Sequence, residues 1–326
     1  MKELVQKLHV TDYAYSEELE ALNFDSYADW ISKNLHAPLD YLSGERAEKR
    51  KNLKSFWPSC ESFITFIFSY HDTKFSLLNY YKKNTDNNLK IASYSLGFQG
   101  EDYHFYLMEK LNEIGNYLKE KYDLEFQLAL DIHPVLDRDL ASRSGLGWYG
   151  KNSMLISKKH GSFTIIGSLL LSKKIPEMWP RAMEIDHCGQ CRKCIDHCPT
   201  EAILENERKI ISSRCISTFT IEEFKLDSAP DEKMDLSSGY IFGCDICQDV
   251  CPWNQRLMRQ GLYQEVEFNQ KQLEILEFFK VGSSKEVQNK IEGLSNGEYK
   301  KKFFKTSYFR SGKRGLLKNL IFYNKD

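Results

Sequence analysis

Eight of the nine cysteines crowd between Cys188 and Cys251, and only Cys60 stands apart. The first group, Cys188-Gly-Gln-Cys191-Arg-Lys-Cys194-Ile-Asp-His-Cys198-Pro199, has the C-x2-C-x2-C-x3-C-P spacing that holds four-iron clusters. Three thiolates so spaced wrap three corners of one cubane, and the fourth, stiffened by Pro199, points to a different cluster. A second, looser group is Cys215 with Cys244, Cys247 and Cys251, followed by Pro252. Crossing the fourth ligands assigns Cys188, Cys191, Cys194 and Cys251 to one cluster and Cys198, Cys215, Cys244 and Cys247 to the other, so every iron has a thiolate. Structural zinc also takes C-x2-C pairs, but it needs neither the triple repeat nor the Cys-Pro endings. His187 and His197 border the ligands without being required as ligands, and Cys60 reads as a small buried hydrophobe.

Gly145-Leu-Gly147-Trp148-Tyr-Gly150-Lys151-Asn152 imitates two phosphate-binding patterns, the dinucleotide fingerprint and, one residue short, the P-loop, with Asn152 where a hydroxyl would meet magnesium. Both patterns must follow directly on a strand, whereas residues 136–144 are charged and helical in spacing. Two readings stay open: a plain tight turn, or a glycine loop that lets backbone approach another large ligand, with Lys151 and Asn152 as donors. Asp131 stands at the end of the alternating segment 126–132, just before His133-Pro134. Taken alone, an aspartate there reads as a structural cap. A carboxyl kept protonated by burial could instead serve as an acid.

The elements that must position these residues are partly visible. Residues 62–70 are β-branched and aromatic throughout, which predicts a strand buried on both faces. Leu107, Leu111, Ile114 and Leu118 recur at helical spacing within 101–122. Residues 153–157 and 162–171 read as strands joined through 158–161. The chain changes character at Pro176 and Pro180, just before the cysteines, and beyond Trp253 it reads as helical: 273–279, a capping box at Ser283 to Glu286, and 314–322. The fold class is therefore α+β: a mixed α/β catalytic domain over 1–178, a ferredoxin-like two-cluster domain over 179–258, and a short helical basic region over 259–326.

A length of 326 residues suits about two domains. With 41% hydrophobic and 28% charged residues, the composition excludes a disordered, collagen-like or coiled-coil chain. The first seven residues carry charges where a signal peptide needs an apolar core. The longest apolar runs, 63–68 and 163–171, fall far short of the roughly 20 residues of a membrane helix. A cytoplasmic location away from membranes is expected, and in a reducing compartment grouped cysteines serve metals rather than disulfides.

Taken in order, Asp131, the segment Arg143 to Asn152, the ferredoxin run, Arg214-Cys215-Ile216-Ser217 and Gly243 to Asn254 resemble epoxyqueuosine reductase from about residue 40 to the end. The resemblance implies an oxidoreductase that uses cobalamin and two four-iron clusters to remove the epoxide oxygen of epoxyqueuosine. That step completes queuosine at the wobble position of tRNAs for Asp, Asn, His and Tyr. It implies cobalamin in a domain similar to reductive dehalogenases, Asp131 as proton donor, and Gly147, Trp148, Gly150, Lys151 and Asn152 as the corrin-contacting loop, with Ser217 and Asp245 near the corrin. Gly100 to His104 resembles a further family element of unassigned role. A low-potential donor such as ferredoxin or flavodoxin would feed a monomeric enzyme. Many members continue into a helical-repeat tail after a segment like 309–319, so tRNA contacts carried by such a tail are not expected from residues 1–326.

Net charge is −1, so any nucleic-acid site must be a local patch. Residues 296–326 are rich in Lys and Arg, interleaved with Phe303, Phe304, Tyr308 and Phe309. Cations for phosphate and rings for unstacked bases suit an anticodon stem-loop, with Arg310, Lys313, Arg314 and Lys318 as candidate contacts. A solvated helix end with its aromatics in the core is the alternative, and the positive run Arg46 to Lys54 reads as ordinary surface.

Overall fold

The computed structural model describes residues 1–224 and 231–325. Its strands are β1 (Asp12–Ser16), β2 (Ser62–Ser69), β3 (Lys90–Ile91), β4 (Phe126–Ala129), β5 (Trp148–Tyr149), β6 (Leu155–Ile156), β7 (Thr164–Leu171) and β8 (Tyr240–Phe242). The chain forms two units. The first comprises 1–69, 106–192 and 205–209, and the second 70–105, 193–204 and 210–326.

In the first unit a four-stranded sheet runs in the order β1-β2-β7-β4, antiparallel throughout. β2 pairs along its whole length with β7, from Ser62 opposite Leu171 to Ser69 opposite Thr164. Phe63, Ile64, Phe66 and Ile67 are fully buried, as an unbroken apolar strand requires. The helix Tyr103–Tyr122 lays Leu107 and Leu111 on β7 at Gly167, where a Cβ would come 2.8 Å from Leu111. The expected hairpin between 153–157 and 162–171 does not form. β6 pairs with β5 instead, β7 is taken by β2 and β4, and only a single bridge joins Ser157 to Gly161. The glycine segment thus runs into β5, and only its end, Gly150 to Asn152, enters the turn of a β5-β6 hairpin.

The second unit joins β3 to β8 in parallel. Its core packs Leu77, Phe242, Phe279, Tyr308 and Leu316 together. Its helices include His71–Lys83, Gln270–Lys280, Ser284–Gly293 and Ser307–Tyr323. The Ser283/Glu286 capping box is present, and two more, Asn269/Gln272 and Ser295/Glu298, start neighbouring helices. The last helix is interrupted at Gly312, whose φ of 64° suits glycine. Residues 70–105 belong here, and not to a continuous domain over 1–178, because Ile91 must pair with Phe242. Among the described residues no helix is long and apolar enough to cross a membrane.

Candidate functional site

β4 ends at Ala129, and the chain turns through the exposed Asp131. The turn is internally tied: Leu130 N–H donates to His133 Nδ1 at 3.1 Å and His133 N–H to the Leu130 carbonyl at 2.8 Å. Two guanidinium groups hold it from outside, Arg46 donating to the Ile132 carbonyl and the buried Arg50 to that of Val135. The positive run that reads as ordinary surface therefore supplies the fastening of the Asp131 turn. Nothing in its local pattern marks Arg50 as buried.

The helix Asp137–Arg143 follows at once. Arg143 pairs with the fully buried Asp139 at 2.9 Å, and Asp139 in turn accepts from Asn23 N–H at 2.9 Å and Asn23 Nδ2 at 2.7 Å. Arg138 donates to the Ser153 carbonyl at 2.9 Å, which ties this helix to the β5-β6 hairpin.

The glycines of that hairpin answer to the protein's own atoms, backbone at Gly147 and side chain at Gly150. A Cβ at Gly147 would lie 2.3 Å from the Ile156 carbonyl oxygen, and one at Gly150 2.6 Å from Asn152 Oδ1. Close cross-hairpin packing is what these positions require, which differs from the reading in which they make room for a ligand. Trp148 is buried against His187, ring centres 4.9 Å apart, and Lys151 Nζ donates to the Gly189 carbonyl at 2.8 Å. The hairpin thereby lies beside the first cysteine segment. At its tip, the Lys151 backbone N–H donates to no group among the described residues. A free amide on an otherwise fixed turn suits a ligand fringed with carbonyl groups, so these residues fit the amide-rimmed corrin that the sequence resemblance implies.

All nine cysteines are free thiols. Cys188 and Cys191 lie in the first unit, and the other six of the cluster group in the second. Cys198, Cys215, Cys244 and Cys247 act on one another. Burial raises the Cys247 thiol well above its ordinary range, with Cys244, Cys215, Cys194 and Cys198 adding to it. Burial first, then the neighbouring thiols, also raises Cys244 and Cys215. Mutually repelling buried thiols surrender their protons readily only to a cation, so the donor set fits a cluster-bound metal. Cys60 is buried, its thiol pushed up to about 11 by desolvation, and takes no part.

A charge clamp holds the second cysteine segment. Lys74, fully buried on the helix His71–Lys83, contacts Asp245 at 3.0 Å and Asp249 at 2.7 Å. Asp245 Oδ2 also accepts from Ser93 N–H at 2.9 Å and Ser93 Oγ at 2.8 Å. Burial pushes the Asp249 carboxyl up to about 6 while Lys74 pulls it down. Asp245, expected near a corrin, is committed to this clamp. Lys74 was not visible from sequence, since an isolated lysine in an amphipathic helix reads as solvated. Ser217 is half-buried on the helix Ile216–Ile221 that follows Cys215.

The basic tail divides. Phe303 and Tyr308 are core residues, whereas Phe304 (60% exposed) and Phe309 (41%) face outward and meet edge to face. Arg310 pairs with Glu222 at 2.6 Å, and Lys313 donates to the Glu292 carbonyl at 2.9 Å. Lys318 is no free cation: its Nζ donates to the Phe219 and Glu223 carbonyls at the end of the helix Ile216–Ile221 and sits 3.6 Å from the Phe219 ring. Desolvation pulls its pKa down to about 7. It serves as a helix cap rather than a phosphate contact. Arg314 remains exposed. In the segment 100–104, Asp102 accepts from His104 Nδ1 at 2.6 Å and His104 N–H at 2.9 Å, opening the helix Tyr103–Tyr122.

Comparison with known proteins bears on these observations. Residues 187–254 match the family described as a 4Fe-4S double cluster binding domain, which contains all eight grouped cysteines and identifies two four-iron clusters. Residues 50–131 match the family described as epoxyqueuosine reductase QueG. The epoxyqueuosine reductase of Cyclobacterium marinum is 37% identical over 231 residues, covering 70% of this chain and 69% of that protein. That of a Synechocystis species is 33% identical over 228 residues, covering 70% and 73%. The solved epoxyqueuosine reductase of Streptococcus thermophilus shares the fold, with a TM-score of 0.77 over 99% of this chain and 79% of that one at 21% identity. So does a crystal structure of epoxyqueuosine reductase with an epoxyqueuosine-modified tRNA-Tyr stem loop, with a TM-score of 0.75 over 99% and 80% at 24% identity. With its cluster domain, its sheet and its ordered motifs accounted for together, the chain belongs to the epoxyqueuosine reductases.

Proposed function

We propose that this chain reduces epoxyqueuosine to queuosine at the wobble position of the tRNAs for Asp, Asn, His and Tyr, with Asp131 as the proton donor. The observation that carries this reading is the Asp131 turn: an exposed carboxyl just beyond the end of a sheet strand, in a turn whose following residues Ile132 and Val135 are fastened by Arg46 and Arg50. A fixed backbone with a solvent-exposed side chain is what a donor needs to meet an oxygen it must protonate. The crystallised relative with a modified tRNA-Tyr stem loop supports tRNA as substrate. Exposed Phe304, Phe309 and Arg314 offer stacking and a phosphate contact for it.

Lys151 and its neighbours on the β5-β6 hairpin would hold cobalamin, which would supply a strongly reducing cobalt when bound. The chain's own residues do the rest. The eight grouped cysteines would hold the two clusters, which would supply electrons one at a time from a low-potential donor such as ferredoxin or flavodoxin. Lys74 keeps the Cys244 to Cys251 segment in place. Asp131 gives its proton to the opening epoxide oxygen. Anaerobically reconstituted protein with cobalamin should convert epoxyqueuosine in tRNA to queuosine, read by mass spectrometry of the nucleosides. Asp131→Asn should abolish turnover while keeping the corrin absorption spectrum; an active Asp131→Asn would end its role as the acid.

A further inference from the structure

Beyond Pro199 the chain folds back on the thiol that closes the first cysteine run. Ala202 N–H donates to Cys198 Sγ at 3.3 Å, and Thr200 Oγ1 lies 3.7 Å from the same sulfur. Both residues are shut off from solvent, Thr200 being 1% and Ala202 2% exposed. They belong to the second unit, together with Cys198, Cys215, Cys244 and Cys247. The turn that aims them is an uncommon one. Glu201, between the two donors, has a φ of 50°, a conformation that side chains rarely adopt and that persists only where its surroundings hold it. Here Glu201 N–H donates to the Cys198 carbonyl at 3.1 Å, and the Glu201 carboxylate pairs with Lys233.

A cysteine bound to iron has given up its proton, so in the loaded protein the Thr200 hydroxyl is the donor of its pair with Cys198. That hydroxyl has no other partner among the described residues. Buried threonines can instead return the hydroxyl to a nearby backbone carbonyl, as Thr220 does to that of Ile216 at 2.7 Å. Thr200 spends its hydroxyl on sulfur, although Ala202 N–H already fastens that atom to the turn. We propose that Thr200 sets the reduction potential of the cluster that Cys198 holds, its hydroxyl stabilising the reduced state through the thiolate. Reduction adds one electron from the low-potential carrier and one negative charge to that cluster, with no bond made or broken, and Thr200 keeps its proton. A donor aimed at the sulfur gains strength as that charge arrives, so the potential lies higher with the hydroxyl than without it. Burial works the other way, because a site without water resists added charge. Thr200 thus puts a hydroxyl where no water reaches. It touches no substrate and is a positioning residue that acts through Cys198. The inference rests on the double-cluster domain, and not on Asp131 as proton donor.

The test is an anaerobic redox titration of reconstituted full-length wild type, Thr200→Val, Thr200→Ala and Thr200→Ser, followed by electron paramagnetic resonance of the reduced clusters. Val keeps the branched shape and removes the hydroxyl, whereas Ser keeps the hydroxyl. In Thr200→Val and Thr200→Ala one of the two cluster potentials should fall, so that the reduced-to-oxidised ratio at a fixed potential drops roughly tenfold, about 59 mV for one electron. The other potential should stay at its wild-type value. Thr200→Ser should restore the wild-type titration, and all four proteins should carry about eight iron atoms per chain. Unchanged potentials in Thr200→Val and Thr200→Ala at full iron content overturn the proposal. A fall that Thr200→Ser does not reverse assigns the effect to packing and overturns it too, and so does an equal fall in both potentials. Loss of a cluster from Thr200→Val and Thr200→Ala alike makes the hydroxyl a structural tie and likewise overturns it. The titration contains no tRNA, so it reads Thr200 separately from the turnover assay of Asp131→Asn.

Discussion

Replacing Asp137 with Asn should make the protein more stable at pH 8, and less so at pH 5. The carboxyl ionises near 4 in an unfolded chain but resists until about 7 in the folded one. Between these values the folded state binds more protons than the unfolded state, so stability falls as pH rises, and above 7 the whole penalty is present. A displacement of roughly 3 pH units corresponds to about 4 kcal/mol. Since the residue is only half-buried, roughly half of that, about 2 kcal/mol, is a fair expectation. Asn forfeits the attraction of an anion to a helix N-terminus, which trims the gain by about 0.3–1 kcal/mol. Roughly two thirds of the gain should appear between pH 5 and 8. For a chain of this length a gain of about 1–2 kcal/mol raises Tm by about 2–3 °C. Scanning calorimetry of both proteins at the two pH values measures it. A Tm difference that does not grow with pH, or a variant less stable than wild type at pH 8, would refute the reasoning.

Three further expectations concern the scaffold. Lys74→Met strands Asp245 and Asp249 without their buried partner and should destabilise the second unit by about 3–5 kcal/mol, seen as a lower denaturation midpoint and lost iron. Gly147→Ala places a methyl group 2.3 Å from the Ile156 carbonyl and should open the hairpin, lowering Tm and cobalamin retention together; unchanged values of both would count against the packing role of Gly147. Arg314→Ala should weaken tRNA binding and flatten its salt dependence, whereas Lys318→Gln should cost thermal stability and leave the salt dependence alone, as measured by filter binding at several salt concentrations.

What the sequence disclosed was whatever depends on near neighbours. The cysteine spacing, the apolar run of β2, the helix over 103–122 and the Ser283 capping box are local patterns, and the structure contains them all. What it concealed depends on partners far along the chain. β5 and β6 are two residues each, too short to leave a period, so the pairing of Trp148 with Ile156 was hidden behind a more obvious strand candidate. The division into units was hidden because β3 is bound to β8 across about 150 residues of sequence.

Charged residues were the most deceptive, and for one reason: charge pattern predicts exposure only when the opposite charge is nearby in sequence or absent. Arg50, Lys74 and Lys318 all sit among charges or on amphipathic helices, where solvation is the default expectation. Each instead spends its positive charge inside the protein, on the Val135 carbonyl, on Asp245 and Asp249, and on the end of a helix. Such cations fix loops that carry little hydrophobic surface of their own. The Asp131 turn and the Cys244 to Cys251 segment are both of this kind, each bearing groups that must stay polar or bind metal and so cannot be anchored by apolar packing. The carboxyl proposed as donor and the cysteine-bearing loop thus meet the same constraint, and the chain meets it in the same way. A buried cation from an earlier helical segment grips the loop through groups that the chemistry leaves free. Asp137 is the exception that this rule isolates, a buried charge-bearing group whose Oδ1 no donor among the described residues satisfies and whose carboxyl burial therefore holds protonated well above the usual carboxylate range.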